Sequence, residues 1–479
     1  MNQDYPAIKQ FIGGEWVTGS GANTRPIINP ATNEAIGELR EASVADLDRA
    51  LAAAQKGFAI WRAMAPIKRA EILQRAANLL RERNDEITRL ACLEEGQPFE
   101  EGKSYGLRGA EVVEWDAAEG RRVYGRIIPS EPGMKVMATR EPIGVVAAFT
   151  PWNAPVFTPC RKLGSVLAAG CALVMKGAEE TPASTAALVQ VFVDAGVPAG
   201  VINLVYGNPE LISTHLIRSP IVRMISFTGS VNVGKHLASM AAAEMKPSVM
   251  ELGGHAPVII CEDADMEDAA AKLAFVKFRN AGQACLCPSR FWVVDAVYDR
   301  FVSLFADYAK QLKVGPAFEP TTKMGPLANS RRLDAIQSLV DDAKAHGAKV
   351  HAGGKCLDGE GCFFAPTVLG DVSYEARIFN EEPFGPVAVI NRFTELDEVL
   401  ERANALPLGL AAYVFTRSSK TADWLASNLQ CGTVGINHMV VSTSGVPFGG
   451  VKDSGFGREG GVEGVASYTI LKTVSHLYV

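Results

Sequence analysis

The sequence predicts an α/β protein built around a parallel, doubly wound sheet. Three observations carry that expectation. Short apolar runs at 144–151, 172–176, 201–207, 223–230 and 248–254 alternate with stretches of helical period. The helix between the second and third runs carries its own stop and start signals. Thr181-Pro182 places proline in the first turn, and Gly196 ahead of Pro198 lets the chain leave left-handed. A second strand–helix series begins near Ala256 and runs to about residue 450, so a second α/β domain is expected.

The remaining elements follow in order. Residues 43–62 read as an amphipathic helix, capped by Ser43 with Asp46 completing a capping box. Leu47, Leu51, Ala54, Phe58 and Trp61 share one stripe of it. A second long helical pattern runs from about Pro66 through Ile72, Leu73, Leu80, Ile87 and Leu90. Residues 123–142 fit neither α/β series and read as two short strands around Pro129 to Gly133, a hairpin arm. The stretch Tyr468-Thr-Ile-Leu-Lys-Thr-Val is β-prone and suited to pairing with a partner subunit.

Composition narrows the function classes. With 479 residues, 48% of them hydrophobic, the chain is long enough for roughly two or three domains. A net charge of −6 argues against nucleic acid or an anionic membrane as the main partner. No apolar stretch reaches the roughly 20 residues that span a bilayer. The start Met1-Asn-Gln-Asp-Tyr-Pro has no secretory pattern, so a cytoplasmic protein is expected. Nine cysteines, odd in number and scattered, suit reduced thiols better than a disulfide framework. No Cys/His group has zinc spacing, and no metal site is expected.

Three segments hold residue types suited to one chemistry. In Phe278-Arg-Asn-Ala-Gly-Gln-Ala-Cys285, Gly282 lets the backbone approach another group closely just before a thiol. Met250-Glu-Leu-Gly-Gly254 ends a strand with a carboxylate beside two glycines, a place for a general base. Thr150-Pro-Trp-Asn153 puts an amide at the carboxyl end of the first strand of the sheet, where such sheets bind ligands. Taken singly, Cys285 reads more readily as a small buried hydrophobe, Glu251 as a solvated loop residue and Asn153 as a turn former.

Together, in this order and with 34 positions between Glu251 and Cys285 (285 − 251), they closely resemble the aldehyde dehydrogenase superfamily. The resemblance covers nearly the whole chain. It implies an aldehyde dehydrogenase fold, with a Rossmann-like parallel-sheet cofactor domain, an α/β catalytic domain and a small β oligomerisation arm. The expected boundaries are 1–122 and 143–253 for the NAD-binding domain and 254–455 for the catalytic domain. Residues 123–142 and 456–479 supply the arm and C-terminal strand. A homodimer or homotetramer is implied.

The resemblance also implies roles. Cys285 is the nucleophile, Glu251 the base that hydrolyses the thioester, and Asn153 with the Cys285 N–H the oxyanion hole. Lys162 and Glu459 match a lysine and a second glutamate near the site. On the cofactor side fall Thr150, Pro151, Trp152 and Leu252, the phosphate turn Gly229-Ser230 to Gly234, and the ribose pair Lys176 and Glu179. Glu382 and Phe384 match residues at the nicotinamide end. A carboxylate at Glu179 would repel a 2′-phosphate, so NAD is favoured over NADP. Three positions depart from the common pattern: His255, Gly177 and Ala154.

For the substrate, Arg161, Arg279 and Ser442 resemble the carboxylate-binding set of the succinic semialdehyde branch. Bidentate arginine bonding suits that task. The α-ketoglutaric semialdehyde branch shares both arginines and much of the wording around them. Cys285-Leu-Cys287 also recurs in the succinic semialdehyde branch, where the two thiols can be linked reversibly. A CoA-acylating dehydrogenase, a non-enzymatic relative and a cysteine hydrolase are the competing classes. Glu251 speaks against the first and the intact trio against the second. The third would leave the cofactor residues unexplained.

Overall fold

A computed structural model describes residues 5–479; the first four residues of the start read above lie outside the described residues. The first sheet has eight strands in the order Glu15–Val17, Gln10–Ile12, Ile202–Val205, Ala172–Lys176, Val145–Phe149, Val222–Thr228, Ser248–Glu251, Gly455–Phe456. Its five central strands run parallel. Nearly every residue on them is buried, because helices cover both faces. The chain winds outward from Val145–Phe149 in one direction and then restarts at Val222–Thr228 on its other side. That reversal opens a crevice at the carboxyl ends of these two strands, and Thr150 to Asn153 leave the sheet there.

Helix α1 (Val44–Ala63) has the expected capping box between Ser43 and Asp46. Its stripe residues Leu47, Leu51, Ala54 and Trp61 are all buried. The second helical pattern is two helices, α2 (Pro66–Glu82) and α3 (Asn84–Glu95), broken at Arg83 with φ −98° and ψ 9°. The break turns Asn84 inward, where its amide donates to Lys103 O at 3.0 Å. Helix α4 (Phe99–Glu119) was not foreseen. Glycine at 102, 106 and 109 weakens its helical signal. Those glycines are there for close packing: a Cβ at Gly106 would lie 1.8 Å from Asn84 Oδ1, and one at Gly109 would lie 2.9 Å from Cys160 Sγ. Helices α5 (Phe157–Ala169), α6 (Pro182–Asp194), α7 (Pro209–Arg218) and α8 (Val231–Ala243) complete the layers around this sheet.

The second α/β series forms a seven-stranded sheet in the order Lys349–Ala352, Thr367–Gly370, Val387–Phe393, Pro288–Val294, Ala256–Ile260, Ala411–Phe415, Thr433–Ile436. Only its Lys349–Ala352 edge is antiparallel. Helix α9 (Met266–Phe278) packs on it and leads into the Cys285 segment.

Residues Arg126–Ile128 and Met134–Pro142 form the expected hairpin. The C-terminal strand Thr469–Leu477 pairs along its full length with Met134–Pro142 of its own chain. The sequence expectation that this strand pairs with a partner subunit concerns its other edge, which borders no strand of the described residues. Residues 457–467, grouped with the arm from sequence, lead through the short helix Gly461–Ser467, which packs against α4 and α5. No helix among the described residues is long and apolar enough to cross a membrane.

Candidate active site

The segment before Cys285 is held in an unusual backbone shape. After α9 ends, Asn280, Ala281 and Gly282 follow one another with φ of 45°, 50° and 73°. Left-handed residues with a Cβ cost roughly 1–2 kcal/mol each, so such a run needs external support. Asn280 N–H donates to Glu101 at 3.1 Å, and its amide donates to Glu95 and to Asn153 O. The Asn153 amide donates in return to Gln283 O at 2.9 Å. One N–H of Asn153 is thereby used and the second is free for a ligand. Gly282 is obligatory here, since a Cβ would sit 2.1 Å from Gly385 O.

Cys285 is a free, partly exposed thiol. Burial, then the Glu382 and Glu251 carboxylates, push it up to about 12, while the backbone N–H groups of Cys285 and Leu286 act the other way. Cys287 is also free, with its sulfur directed at Lys277 O and Pro288 O.

Glu251 ends its strand 3% exposed, and neither carboxyl oxygen has a hydrogen-bond partner. Burial and the neighbouring Glu459 hold it well above the usual carboxylate range, against Lys162, Arg161 and Arg458. Gly449 leaves space for it: a Cβ there would lie 2.6 Å from Glu251 Oε1. Behind it, Lys162 Nζ lies 2.9 Å from Glu459 Oε1 and donates to Ser226 Oγ at 3.0 Å. Tyr468 OH also donates to Ser226 Oγ. Asp116 on α4 completes this buried polar group; burial raises it to about 8, and Ser165 donates to it at 2.9 Å. Sequence reading missed Asp116, which no motif marks.

The residues expected on the cofactor side surround the crevice. Gly229 to Gly234 carry the chain from strand Val222–Thr228 into α8. Ser230 is the N-cap of α8 but makes no side-chain cap bond, so the first-turn N–H groups are open to a phosphate. A Cβ at Gly234 would fall 2.2 Å from Leu252, so glycine sets the close approach of α8 to the strand end. Thr150 N–H donates to Lys176 O, and the ammonium of Lys176 lies 2.6 Å from Glu179. Glu179 also accepts from Gly207 N–H at 3.2 Å. Glu382 lies over Gly253 and accepts from Gly254 N–H; burial raises it to about 8. Phe384, at φ 44°, meets Trp152 edge-on with ring centroids 5.7 Å apart, beyond Pro151 in the Thr150 turn. Open helix N–H groups, a lysine–carboxylate pair and a carboxyl above a glycine suit a dinucleotide from its phosphates to its two sugars.

The three departures have local reasons in two cases. A side chain at Gly177 would strike the Tyr206 ring at 2.4 Å. His255 is buried between Ser289 Oγ and Ile378 O, and burial keeps it neutral by lowering its pKa well below the ordinary value. Ala154 is buried, and nothing in the structure explains its choice over an aromatic.

The arginines divide. Arg161 on α5 is buried; its Nη2 donates to Ser442 Oγ at 2.8 Å, and its Nε and Nη1 have no partner. Arg279 does not join it on a common group. It pairs with Glu101 at 3.3 Å and donates to Ser104 at 3.0 Å, tying α4 to the Cys285 segment. It lines a cavity of about 590 Å³ with Glu101, Ser104, Phe275 and Tyr308 that neither Cys285 nor Glu251 borders. A third arginine, missed from sequence, stands next to Arg161: Arg108 on α4 donates to Ser442 O at 2.7 Å.

The profile of the aldehyde dehydrogenase family matches residues 16–474. The chain belongs to that family. This aldehyde dehydrogenase is therefore an oxidoreductase that oxidises an aldehyde, in a family that uses NAD or NADP. It is 44% identical to 4-(hydroxymethyl)benzenesulfonate dehydrogenase of Comamonas testosteroni, over 99% of each chain. It is 39% identical to the NADP-named succinate-semialdehyde dehydrogenase of Escherichia coli, over 96% of each. The NAD complex of an aldehyde dehydrogenase from Bacillus cereus superposes with a TM-score of 0.96, at 35% identity, covering 99% of this chain and 97% of the other.

Proposed function

We propose that the protein oxidises an aldehyde bearing an anionic group at its far end to the carboxylic acid, with NAD as the preferred acceptor. The supporting observation is Arg161: a buried guanidinium with two unpartnered nitrogens, Nε and Nη1, oriented by Ser442. A buried cation without a counter-ion is costly unless a ligand anion completes it. Succinic semialdehyde and α-ketoglutaric semialdehyde carry such an anion as a carboxylate. The Comamonas relative's name adds a sulfonate to the chemistry to be tested.

In this reading the thiolate of Cys285, its proton released to solvent, attacks the carbonyl carbon. The second Asn153 N–H and the Cys285 N–H stabilise the oxyanion. Glu382, Trp152 and Phe384 would hold the nicotinamide, which would supply the hydride acceptor needed to oxidise the Cys285 adduct to a thioester. Glu251, whose raised proton affinity suits it to the task, then removes a proton from water; the hydroxide attacks the thioester, the acid departs, the Cys285 thiolate is restored, and Glu251 returns its proton to solvent. Lys162 and Glu459 hold the charge balance behind Glu251 and are themselves tied to Ser226 and Tyr468. Arg279, paired with Glu101, sets the position of the Cys285 segment against α4. Trp152 and Phe384 bound the nicotinamide end, and Glu179 disfavours a 2′-phosphate. Cofactor domain, catalytic domain and arm follow the two sheets and the three-stranded unit. A homo-oligomer forms through that unit, whose exposed Ile127, Leu471 and Leu477 await cover.

A steady-state panel with NAD and NADP tests the proposal, comparing succinic semialdehyde, α-ketoglutaric semialdehyde and neutral aldehydes of similar length. Cys285→Ala abolishes turnover with NAD binding retained. Glu251→Gln keeps a burst of NADH but slows the steady rate. Arg161→Ala raises KM for the acid-bearing aldehydes far more than for neutral ones. Equal losses on both classes sink the anionic-tail assignment, and full turnover in the cysteine variant sinks the mechanism.

A further inference from the structure

Arg108 and Arg161 share one environment although they come from different helices. The guanidinium of Arg108 lies 4.6 Å from the Phe157 ring centroid, and that of Arg161 lies 4.9 Å from the same centroid. Ser442 sits between them, accepting from Arg108 at its carbonyl and from Arg161 at its hydroxyl. Among the described residues neither arginine is in an ion pair. The Asp116 and Glu251 carboxyls feel the Arg161 charge, but burial works against the ionised form of both, and neither forms an ion pair with either arginine. Arg279 bears on the same spot but is already matched by Glu101. Burial and the charges of Arg161 and Arg279 lower the pKa of Arg108, as expected for cations gathered without a counter-ion.

Pinning the Ser442 loop would need one of these cations, not two. Arg161 is an expensive group to desolvate, Arg108 beside it is half-buried, and together they repel. Their arrangement makes sense as a receptor. A carboxylate is planar, and the fork of one guanidinium can satisfy both its oxygens. A sulfonate presents three oxygens that do not share a plane, so a single fork leaves at least one of them unmatched. Two guanidinium groups set on different helices around one ring, with the Ser442 hydroxyl between them, offer donors from more than one direction.

We propose that Arg108 is a specificity-determining residue that, with Arg161 and Ser442, adapts the anion site to a sulfonate in preference to a carboxylate. The proposal rests on the anionic-tail reading above and names the anion within it. The test uses three aldehydes on one ring: 4-formylbenzenesulfonate, 4-formylbenzoate and benzaldehyde. Each is assayed with the full-length enzyme and NAD, in the parent and in Arg108→Gln and Arg108→Lys. The parent should rank them sulfonate, carboxylate, neutral in kcat/KM. Arg108→Gln should lower the sulfonate value by about 100-fold, mainly through KM, and the carboxylate value by about tenfold or less. Benzaldehyde should stay within about twofold. Arg108→Lys keeps the charge without the fork and should recover only part of the sulfonate loss.

A parallel measurement needs no substituted protein: benzenesulfonate should inhibit the parent competitively at lower concentration than benzoate. An unchanged sulfonate-to-carboxylate ratio in Arg108→Gln overturns the proposal, as does an equal loss on all three aldehydes, which is what a loop clamp would give. If the arginine variants do not fold, benzoate inhibiting as well as benzenesulfonate overturns it instead. A parent that treats benzaldehyde like the two anions removes the anionic-tail reading itself, which is a different failure.

Discussion

Replacing Lys162 with methionine probes the charge arrangement behind Glu251 directly. Lys162 is fully buried, and its ammonium lies 2.9 Å from Glu459, which is itself 2% exposed. Glu251 and Asp116 are the other carboxyl groups packed into this region. Removing the cation leaves Glu459 buried and unpaired, and strips Ser226 Oγ of one of its two donors. Breaking a buried pair from one side costs about 3–5 kcal/mol. In a chain of this size, whose unfolding entropy is about 1 kcal/mol/K, that corresponds to a fall in Tm of about 3–5 °C. The loss should shrink as pH is lowered. The folded variant then takes up a proton on the abandoned carboxylate that the unfolded chain would not yet bind, so acid favours the folded form. Lys162→Met/Glu459→Gln should recover most of the stability, because it removes both charges together. Thermal unfolding of parent, single and double variants at about pH 8 and about pH 6 reads all of this. A single variant within about 1 kcal/mol of the parent, or a double variant no better than the single, refutes the reasoning.

Two further perturbations bear on the nucleophile. Gly282→Ala would place a Cβ 2.1 Å from Gly385 O on a residue at φ 73°. The strain is about 2–4 kcal/mol, and displacement of the Cys285 segment should cut kcat/KM by about 100-fold; parental activity would show that the close contact is dispensable. Because burial pushes the Cys285 thiol up to about 12, the thiolate is the minor form at neutral pH and grows as pH rises. Inactivation by iodoacetamide should therefore accelerate about tenfold per pH unit between roughly pH 7 and 9, and a rate independent of pH would contradict the burial effect.

The architecture was largely readable because both sheets are parallel and covered. Each central strand is then an uninterrupted apolar run, as in Ala172–Lys176, and stands out against helical periodicity. Cys285, Glu251 and Asn153 could be singled out only by their motifs and spacing. Singly, each has an ordinary alternative; the reversal in strand order brings Asn153 and Glu251 to one crevice, and the bond from Asn153 to Gln283 O ties the Cys285 segment to it. The electrostatic surroundings were not readable. Arg108 and Asp116 lie on α4, whose Gly102, Gly106 and Gly109 disguise it as a poor helix while serving its contacts. Arg279 was legible as an arginine but not as the partner of Glu101, because that pairing depends on how α4 meets the end of α9. The break at Arg83 was hidden because the apolar spacing continues across it.

The three-stranded unit has a bearing on when the molecule can be finished. Arg140 and Thr469 touch across 329 positions of chain. While the polypeptide is being made, Met134–Pro142 has only Arg126–Ile128 beside it, and its other border stays bare until nearly all of both sheets have left the ribosome. Such long-range closure is slow compared with local pairing. Any face built on that last strand therefore exists only on molecules that have been synthesised through to it, and a prematurely stopped chain could not present it to another copy.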